Sequence, residues 1–285
     1  MARRDLWPRV EPLLSRVERP ARYLNHEWGS SAPVAEGDFA FCMIYPDTYE
    51  LGQANQAVRI LVNAVNATDG MGAERAFLPA VDMADLMREE GVPLFSLESC
   101  RPVADFDVVG ITLPHELAAT NVLETLDLAG IPLRTADRAE GDPIVLALIR
   151  ELRASGAPRA EILREVVRRV GGAYVPSLYR WRSDEEAQAA GSWAEPLFDD
   201  VPCVVHKRVF EGFADSPALE PMIVPYTEVV HDRLNVEILR GCARGCRFCQ
   251  AGMMYRPVRE RSADNIVDAV ARGLAETGYD EVSLT

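Results

Sequence analysis

The sequence lacks any apolar run long enough to cross a bilayer, which takes about 20 consecutive apolar residues. Its first residues, MARRDLWPRVEPLL, contain no apolar core of the kind that a secretory signal requires. Basic residues are also scarce, because 30 Lys and Arg face 44 Asp and Glu, for a net charge of -14. Such a chain gains little from attraction to polyanions, so nucleic-acid binding is not indicated. We therefore expect a cytoplasmic protein with no membrane association.

The cysteine content of the chain needs a separate explanation. Thiols stay reduced in the cytoplasm, so six cysteines favour metal or redox chemistry over disulfides. Three of them stand singly among apolar or small neighbours and are predicted to be buried structural thiols: Cys42, Cys100 and Cys203. The other three fall within eight residues of the stretch EILRGCARGCRFCQAGMMYRP: Cys242, Cys246 and Cys249.

Apolar strands alternate with amphipathic helices in the first half of the chain. Strands are predicted at 38–45, 93–98 and 106–113, and helices at 53–67, 81–91 and 115–130. Strands without in/out alternation indicate a parallel sheet covered on both faces. We therefore predict a doubly wound, Rossmann-type α/β domain, whose ligands would bind at the carboxyl ends of the strands. Two successive helices, at 142–156 and 157–172, interrupt the alternation.

The last part of the chain predicts one β-loop-α-β unit. A strand at 235–241 leads into the cysteine segment, Ser262 caps a helix at 263–278, and a further strand follows at 279–285. The predicted domains are an N-terminal extension at 1–37 with a short helix at 8–17, the α/β domain at 38–171, a linking region at 172–230 and this unit at 231–285. The linking region contains strand-like pieces, among them 201–210.

Three closely spaced thiolates supply three metal ligands. A structural zinc site needs four, and His231 could be recruited as the fourth. A cubane iron–sulfur cluster held by three cysteines would instead keep one iron open for a substrate or cofactor. Both interpretations remain open from the residues alone.

The pattern Cys-x3-Cys-x-aromatic-Cys after a buried strand resembles the radical S-adenosylmethionine (radical SAM) superfamily. Cys242, Cys246, Phe248 and Cys249 fill that pattern. The resemblance implies a 4Fe-4S cluster on the three cysteines and S-adenosylmethionine on the open iron, with the backbone around Phe248 contacting adenine. It also implies reductive cleavage to a 5′-deoxyadenosyl radical and an electron donor such as flavodoxin or ferredoxin. The substrate and the catalytic residues are not readable.

Longer stretches resemble one subfamily with a cobalamin-binding-like domain ahead of the radical barrel. They include YPDTYELG, DFDVVGITLPHEL, NVLETLDLAGIPL and VPYTEVVHDR. The resemblance covers most of the chain and implies that 231–285 holds only the start of the barrel. A fragment of a radical SAM enzyme is thus the favoured hypothesis, and a non-catalytic binding or scaffold module is the alternative.

The cobalamin signature itself is degenerate. Domains of this class often carry Asp-x-His-x-x-Gly, and the matching positions are Asp47, Tyr49 and Gly52. A neutral phenol offers no imidazole nitrogen to cobalt. A segment that lines the cofactor pocket in the subfamily is also missing near residue 147. We therefore predict weak or no cobalamin binding.

Six arginines lie between Arg240 and Arg261, with Glu260 as the sole acid. This run is either a solvated cationic loop or a surface that attracts an anionic substrate or a reducing partner.

Overall fold

The computed structural model describes residues 4–113, 116–139, 142–143, 158–183, 192–216, 222–249 and 251–285. The helix predicted at 142–156 lies almost entirely outside these ranges. The helices are α1 (Trp7–Val10), α2 (Tyr49–Gln53), α3 (Gln56–Asn66), α4 (Val81–Glu90), α5 (Ala119–Leu128), α6 (Arg159–Arg169), α7 (Ala251–Met254) and α8 (Ala263–Thr277). The strands are β1 (Phe39–Tyr45), β2 (Met71–Phe77), β3 (Val108–Ile111), β4 (Tyr179–Ser183), β5 (Ser192–Pro196), β6 (Leu234–Val236), β7 (Leu239–Arg240), β8 (Arg259–Glu260) and β9 (Val282–Leu284). None of the helices within the described ranges has the length and apolarity needed to cross a membrane.

A parallel sheet in the order β2-β1-β3 forms the first layer of the fold, and it confirms the prediction of an α/β fold. The central strand β1 is buried along its whole length. Alternate residues of β1 enter two separate cores, because successive side chains in a strand point to opposite faces. One core contains residues of α3 and α6, and the other contains residues of α4 and α5. Helices therefore cover both faces of the sheet.

The sequence-based prediction placed one strand wrongly and missed another. The strand expected at 93–98 forms only an isolated bridge between Phe95 and Pro102. The position beside β1 is taken by β2, whose sequence MGAERAF was not recognised as a strand because Glu74 and Arg75 stand at its centre. Both charged side chains are nevertheless buried. A search for apolar residues therefore could not identify this buried strand at the sheet edge.

Some apolar helix positions are also more exposed than the helical spacing indicated. Val58 and Val62 of α3 are buried as expected, but Leu61 is exposed. Leu117 and Leu123 are likewise exposed, although they were counted in the apolar set of the helix at 115–130.

The N-terminal segment packs into the sheet's core. The helix expected at 8–17 is realised as α1 and a following 3-10 helix, Glu11–Arg16. Five side chains from this part of the chain join the core on the α4 and α5 face: Leu6, Val10, Leu13, Tyr23 and Val34. The predicted extension is thus an integral part of the first layer.

A fully buried charge network fixes this N-terminal segment to β2. The Arg75 guanidinium donates to Glu27 through Nη2 at 2.6 Å, to Glu98 through Nε at 2.6 Å and to Gln53 through Nη1 at 2.7 Å. The Tyr49 hydroxyl donates to the other oxygen of Glu27. Burial opposes the charge of Arg75, but the two carboxylates outweigh it and raise the Arg75 pKa. The network joins residues far apart in the chain at one sheet edge.

Two of the three single cysteines lie where they were expected. Cys42 and Cys100 are buried. Burial raises the pKa of the Cys42 thiol well above its usual value, and it raises the pKa of the Cys100 thiol to about 12. Cys203 is exposed, so the prediction of a buried thiol was wrong there. The physical reason is that the stretch 201–210 forms no strand and leaves most of its side chains at the surface.

The region at 172–230 carries its own small structure. Strands β4 and β5 form an antiparallel hairpin, in which Trp181 pairs with Ala194. A separate apolar cluster packs beside it against α6, through Val167, Val175, Leu178, Tyr179 and Val201.

The C-terminal unit has the predicted β-loop-α-β order. Strands β6 and β9 pair in parallel, and α8 connects them and packs on β6. Ser262 caps α8 as predicted, since its hydroxyl accepts the Asn265 amide at 3.2 Å. The strand expected at 235–241 is divided, because Leu239 and Arg240 leave β9 and pair antiparallel with β8. The paired strands β7 and β8 form the base of the cysteine segment, which lies between them in the sequence.

Replacing Arg75 by methionine should lower the free energy of unfolding by about 3–5 kcal/mol, because Glu27 and Glu98 would stay buried without a cation. Urea unfolding measures the loss. The control is Arg88→Met, which removes an exposed pair with Glu124 and should cost about 1 kcal/mol or less. Equal losses in the two variants would contradict this account of the buried network.

Candidate functional site

The cysteine loop, residues 241–258, leaves β7 and returns through β8. It carries all three clustered cysteines. Cys242 and Cys249 are half-buried and Cys246 is exposed, and all three are free thiols. The Cys249 amide donates to the Cys246 carbonyl at 3.1 Å, which makes a tight turn between the last two cysteines.

Two glycines let the backbone of the cysteine loop approach itself closely. Gly241 has a φ of +94°, and a Cβ there would lie 2.4 Å from the Tyr255 carbonyl oxygen. A Cβ on Gly252 would lie 2.4 Å from the Arg244 carbonyl oxygen. Because both obstacles are backbone atoms, neither can turn aside as a side chain could. The two ends of the loop are thus held together by contacts that only glycine permits.

The donor set suits a soft metal or an iron–sulfur cluster. The sequence contains no Asp or Glu from 241 to 257, so hard oxygen ligands are absent beside the three thiols. The thiols are neither paired in disulfides nor fully buried, so each is free to take a ligand role. Across the described ranges, no three Cys, His, Asp or Glu side chains lie close enough together to hold a metal ion. Three free thiols fit a 4Fe-4S cluster in number and in chemistry. The three sulfurs would have to move closer together to bind it.

The structure places two other candidate side chains, those of Phe248 and His231, at the surface. Phe248 is 93% exposed, so its ring makes no enclosed pocket for adenine. His231, the fourth ligand of the zinc alternative, is exposed and precedes β6, whereas the cysteine loop follows β7. Neither side chain is brought into a ligand group with the cysteines.

The arginines around the cysteine loop divide into two groups. Arg240 donates to the Glu237 carboxylate from Nε at 2.7 Å and Nη2 at 2.9 Å, and Arg259 and Arg261 donate to backbone carbonyls. Burial lowers the pKa of Arg261. The other group projects into solvent from the loop itself: Arg244, Arg247 and Arg256.

The degenerate cobalamin positions serve as packing and turn residues. Tyr49 is buried, packs edge-on against Phe77 with ring centroids 5.3 Å apart, and donates to Glu27. Burial and the Glu27 carboxylate raise the Tyr49 pKa well above its usual range. A Cβ on Gly52 would lie 2.3 Å from Phe77 Cδ1, and the Asp47 carboxylate accepts the Thr48 amide at 2.8 Å. The phenol therefore does not face an open cofactor site.

Sequence reasoning did not single out four residues that shape the cysteine loop. Gly241 and Gly252 could have been noticed, because each lies within three residues of a cysteine. Lys207 and Phe213 contact the loop and its base from the region at 172–230. Their partners are more than 25 residues away in the sequence, so no local pattern indicates the contact.

Comparison with known proteins supports the radical SAM superfamily. A family model described as "Radical SAM proteins, N-terminal" matches residues 57–148. An uncharacterized protein of Methanocaldococcus jannaschii is 23% identical over 243 residues, which are 85% of this chain and 48% of the relative. The chain therefore spans about half the length of that relative. No solved structure matches.

Replacing Gly252 by alanine should open the cysteine loop, because the new methyl group would meet the Arg244 carbonyl. We expect faster amide hydrogen exchange across residues 242–256, measured by mass spectrometry of peptides. Gly245→Ala is the matched control, since a Cβ at Gly245 meets nothing within 4 Å. Unchanged exchange in the Gly252 variant would contradict the loop contacts described above.

Proposed function

We propose that this chain is part of a radical SAM enzyme in which Cys242, Cys246 and Cys249 hold a 4Fe-4S cluster. The observation that carries the proposal is a set of three free thiols within one eight-residue stretch of a loop that its glycines hold closed. The family match to residues 57–148 supports the same superfamily from a different part of the chain. The two arguments are independent, because the matched range ends well before the cysteines.

The chain's own residues would bind and position the cofactors. Three cysteines leave one of four irons without a protein ligand, which is where S-adenosylmethionine would bind. When bound, the cluster supplies one electron for reductive cleavage of S-adenosylmethionine to methionine and a 5′-deoxyadenosyl radical. The backbone around Phe248 is the proposed adenine contact, and the exposed ring would have to fold inward for its side chain to contribute.

The exposed arginines support a second element of the proposal, an acidic electron donor such as flavodoxin or ferredoxin. Arg244, Arg247 and Arg256 project from the cysteine loop into solvent, whereas the chain as a whole carries a net charge of -14. A local cationic surface on an acidic protein steers a negatively charged partner towards that surface.

The proposed role of the first layer does not depend on cobalamin. We propose that the first layer acts as a cobalamin-binding-like scaffold with weak or no affinity for the cofactor. Its support is the Tyr49 phenol, which occupies the axial-ligand position but is buried and hydrogen-bonded to Glu27. The test is incubation with hydroxocobalamin followed by gel filtration. If about one corrinoid per chain stayed bound, the proposal of weak or no affinity would be contradicted.

The second candidate function is a non-catalytic module that binds a metal cluster without turnover. It is favoured by the 93% exposure of Phe248, whose ring encloses no pocket for adenine. Production of 5′-deoxyadenosine separates the two candidates, because only the enzyme makes it.

Anaerobic reconstitution with iron and sulfide tests the proposal. We expect about four irons and four sulfides per wild-type chain, and 5′-deoxyadenosine when a reductant and S-adenosylmethionine are added. Cys246→Ala should lose both, because the loop then supplies two ligands. Cys203→Ala is the matched control, since it removes an exposed thiol outside the loop.

Two outcomes would contradict the proposal. One is full iron content and turnover in the Cys246 variant. The other is stoichiometric zinc in aerobically purified protein that is lost in both Cys246→Ala and His231→Ala, which would establish the zinc site instead.

A further inference from the structure

The ring of Phe213 contacts the guanidinium groups of two arginines that border the cysteine loop. Its side chain is fully buried, and its ring centroid is 4.7 Å from Arg240 Cζ and 4.5 Å from Arg261 Cζ. Arg240 ends β7 just before the loop, and Arg261 follows β8 just after it. A single aromatic ring therefore contacts both ends of the segment that carries the cysteines.

Hydrogen bonds hold the two guanidinium groups in place against the ring. Arg240 is fixed by its two bonds to Glu237, and Arg261 Nε donates to the Glu237 carbonyl at 2.9 Å. Arg261 Nη1 also donates to the Ser216 carbonyl, which lies three residues beyond Phe213. Because the ring's electron-rich faces attract cations, the contact draws two like charges to one site, where Glu237 offsets one of them.

A second contact reaches the returning half of the loop. The Lys207 ammonium donates to the Arg256 carbonyl at 2.8 Å and to the Met254 carbonyl. On the far side, the Asn265 side-chain amide of α8 donates to the Ala214 carbonyl at 2.9 Å. Residues 207–216 thus contact the base of the loop, its returning half and the helix that follows it.

We propose that residues 207–216 form a clamp that positions the cysteine loop for cluster binding, with Phe213 and Lys207 as positioning residues. This rests on the proposed function of the three cysteines. A metal site needs its ligands held to within about 0.5 Å, and a site on a loop reaches that only with support from surrounding residues. Here the support comes from the region at 172–230, which lies outside the C-terminal unit that carries the cysteines.

The contrasting possibility is that Phe213 only fills space in an apolar core. Phe213→Leu separates the two roles, because leucine keeps an apolar side chain there but removes the aromatic face. Phe198→Leu is the control, since Phe198 also faces a guanidinium, with Arg164 Cζ 4.4 Å from its ring centroid, but that arginine does not border the cysteine loop.

The first measurement is the rate at which reconstituted protein loses iron to a chelator, well below the unfolding temperature. Phe213→Leu should lose iron about tenfold faster than wild type, the factor that corresponds to ~1.4 kcal/mol of lost contact energy. Phe198→Leu should lose it at the wild-type rate. Lys207→Met should lose iron about threefold faster than wild type, because methionine has no donor for the two carbonyls, and Lys207→Arg should restore slow loss, because a guanidinium can still donate to them.

The second measurement is amide hydrogen exchange of residues 242–256 in metal-free protein, which needs no cluster. The clamp predicts faster exchange in Phe213→Leu and Lys207→Met than in wild type and in Phe198→Leu. Wild-type exchange and wild-type iron loss in both clamp variants would overturn the inference. If wild-type protein takes up no cluster but the loop still opens in the clamp variants, the proposed function fails and the clamp remains.

Discussion

One buried guanidinium, that of Arg75, joins the parts of the first layer. Its carboxylate partners come from two separate segments, Glu27 ahead of the sheet and Glu98 beyond α4. A buried cation with two carboxylates is stable only while every member stays in place, so the network ties each segment to the sheet edge. The same network takes up the hydroxyl of Tyr49, which removes that side chain from any role at an open cofactor site.

The first layer in turn supports the C-terminal unit. Gln56 at the start of α3 donates from Nε2 to the Asn235 carbonyl of β6 at 2.9 Å, so a helix that covers the sheet also contacts the strand leading to the cysteine loop. The proposed clamp at 207–216 adds a second support, from the region between the first layer and the C-terminal unit. Contacts from two regions outside the C-terminal unit thus reach the strand and the loop that lead to and carry the cysteines.

The sequence-based prediction succeeded where a single local pattern decides the structure. The apolar run of β1 and the cap of α8 were recognisable, because buried strands and capped helices have strong local signals. β2 was missed because Arg75 and its neighbour are buried by partners that are distant in the sequence. The contact of Phe213 with the loop base also depends on distant partners. Cys203 is exposed because the stretch around it forms no strand. The three clustered cysteines were found from spacing alone, but their present separation was not predictable from it.

The central claim is that three cysteines hold a cluster with one iron open to S-adenosylmethionine. Mössbauer spectroscopy of the chain reconstituted with ⁵⁷Fe tests it most directly, because the spectrum resolves irons with different ligands. On addition of S-adenosylmethionine, the account predicts that about a quarter of the iron absorption shifts to a site with nitrogen and oxygen ligands, while the rest stays in place. A spectrum that S-adenosylmethionine leaves unchanged, with all irons equivalent, would contradict it.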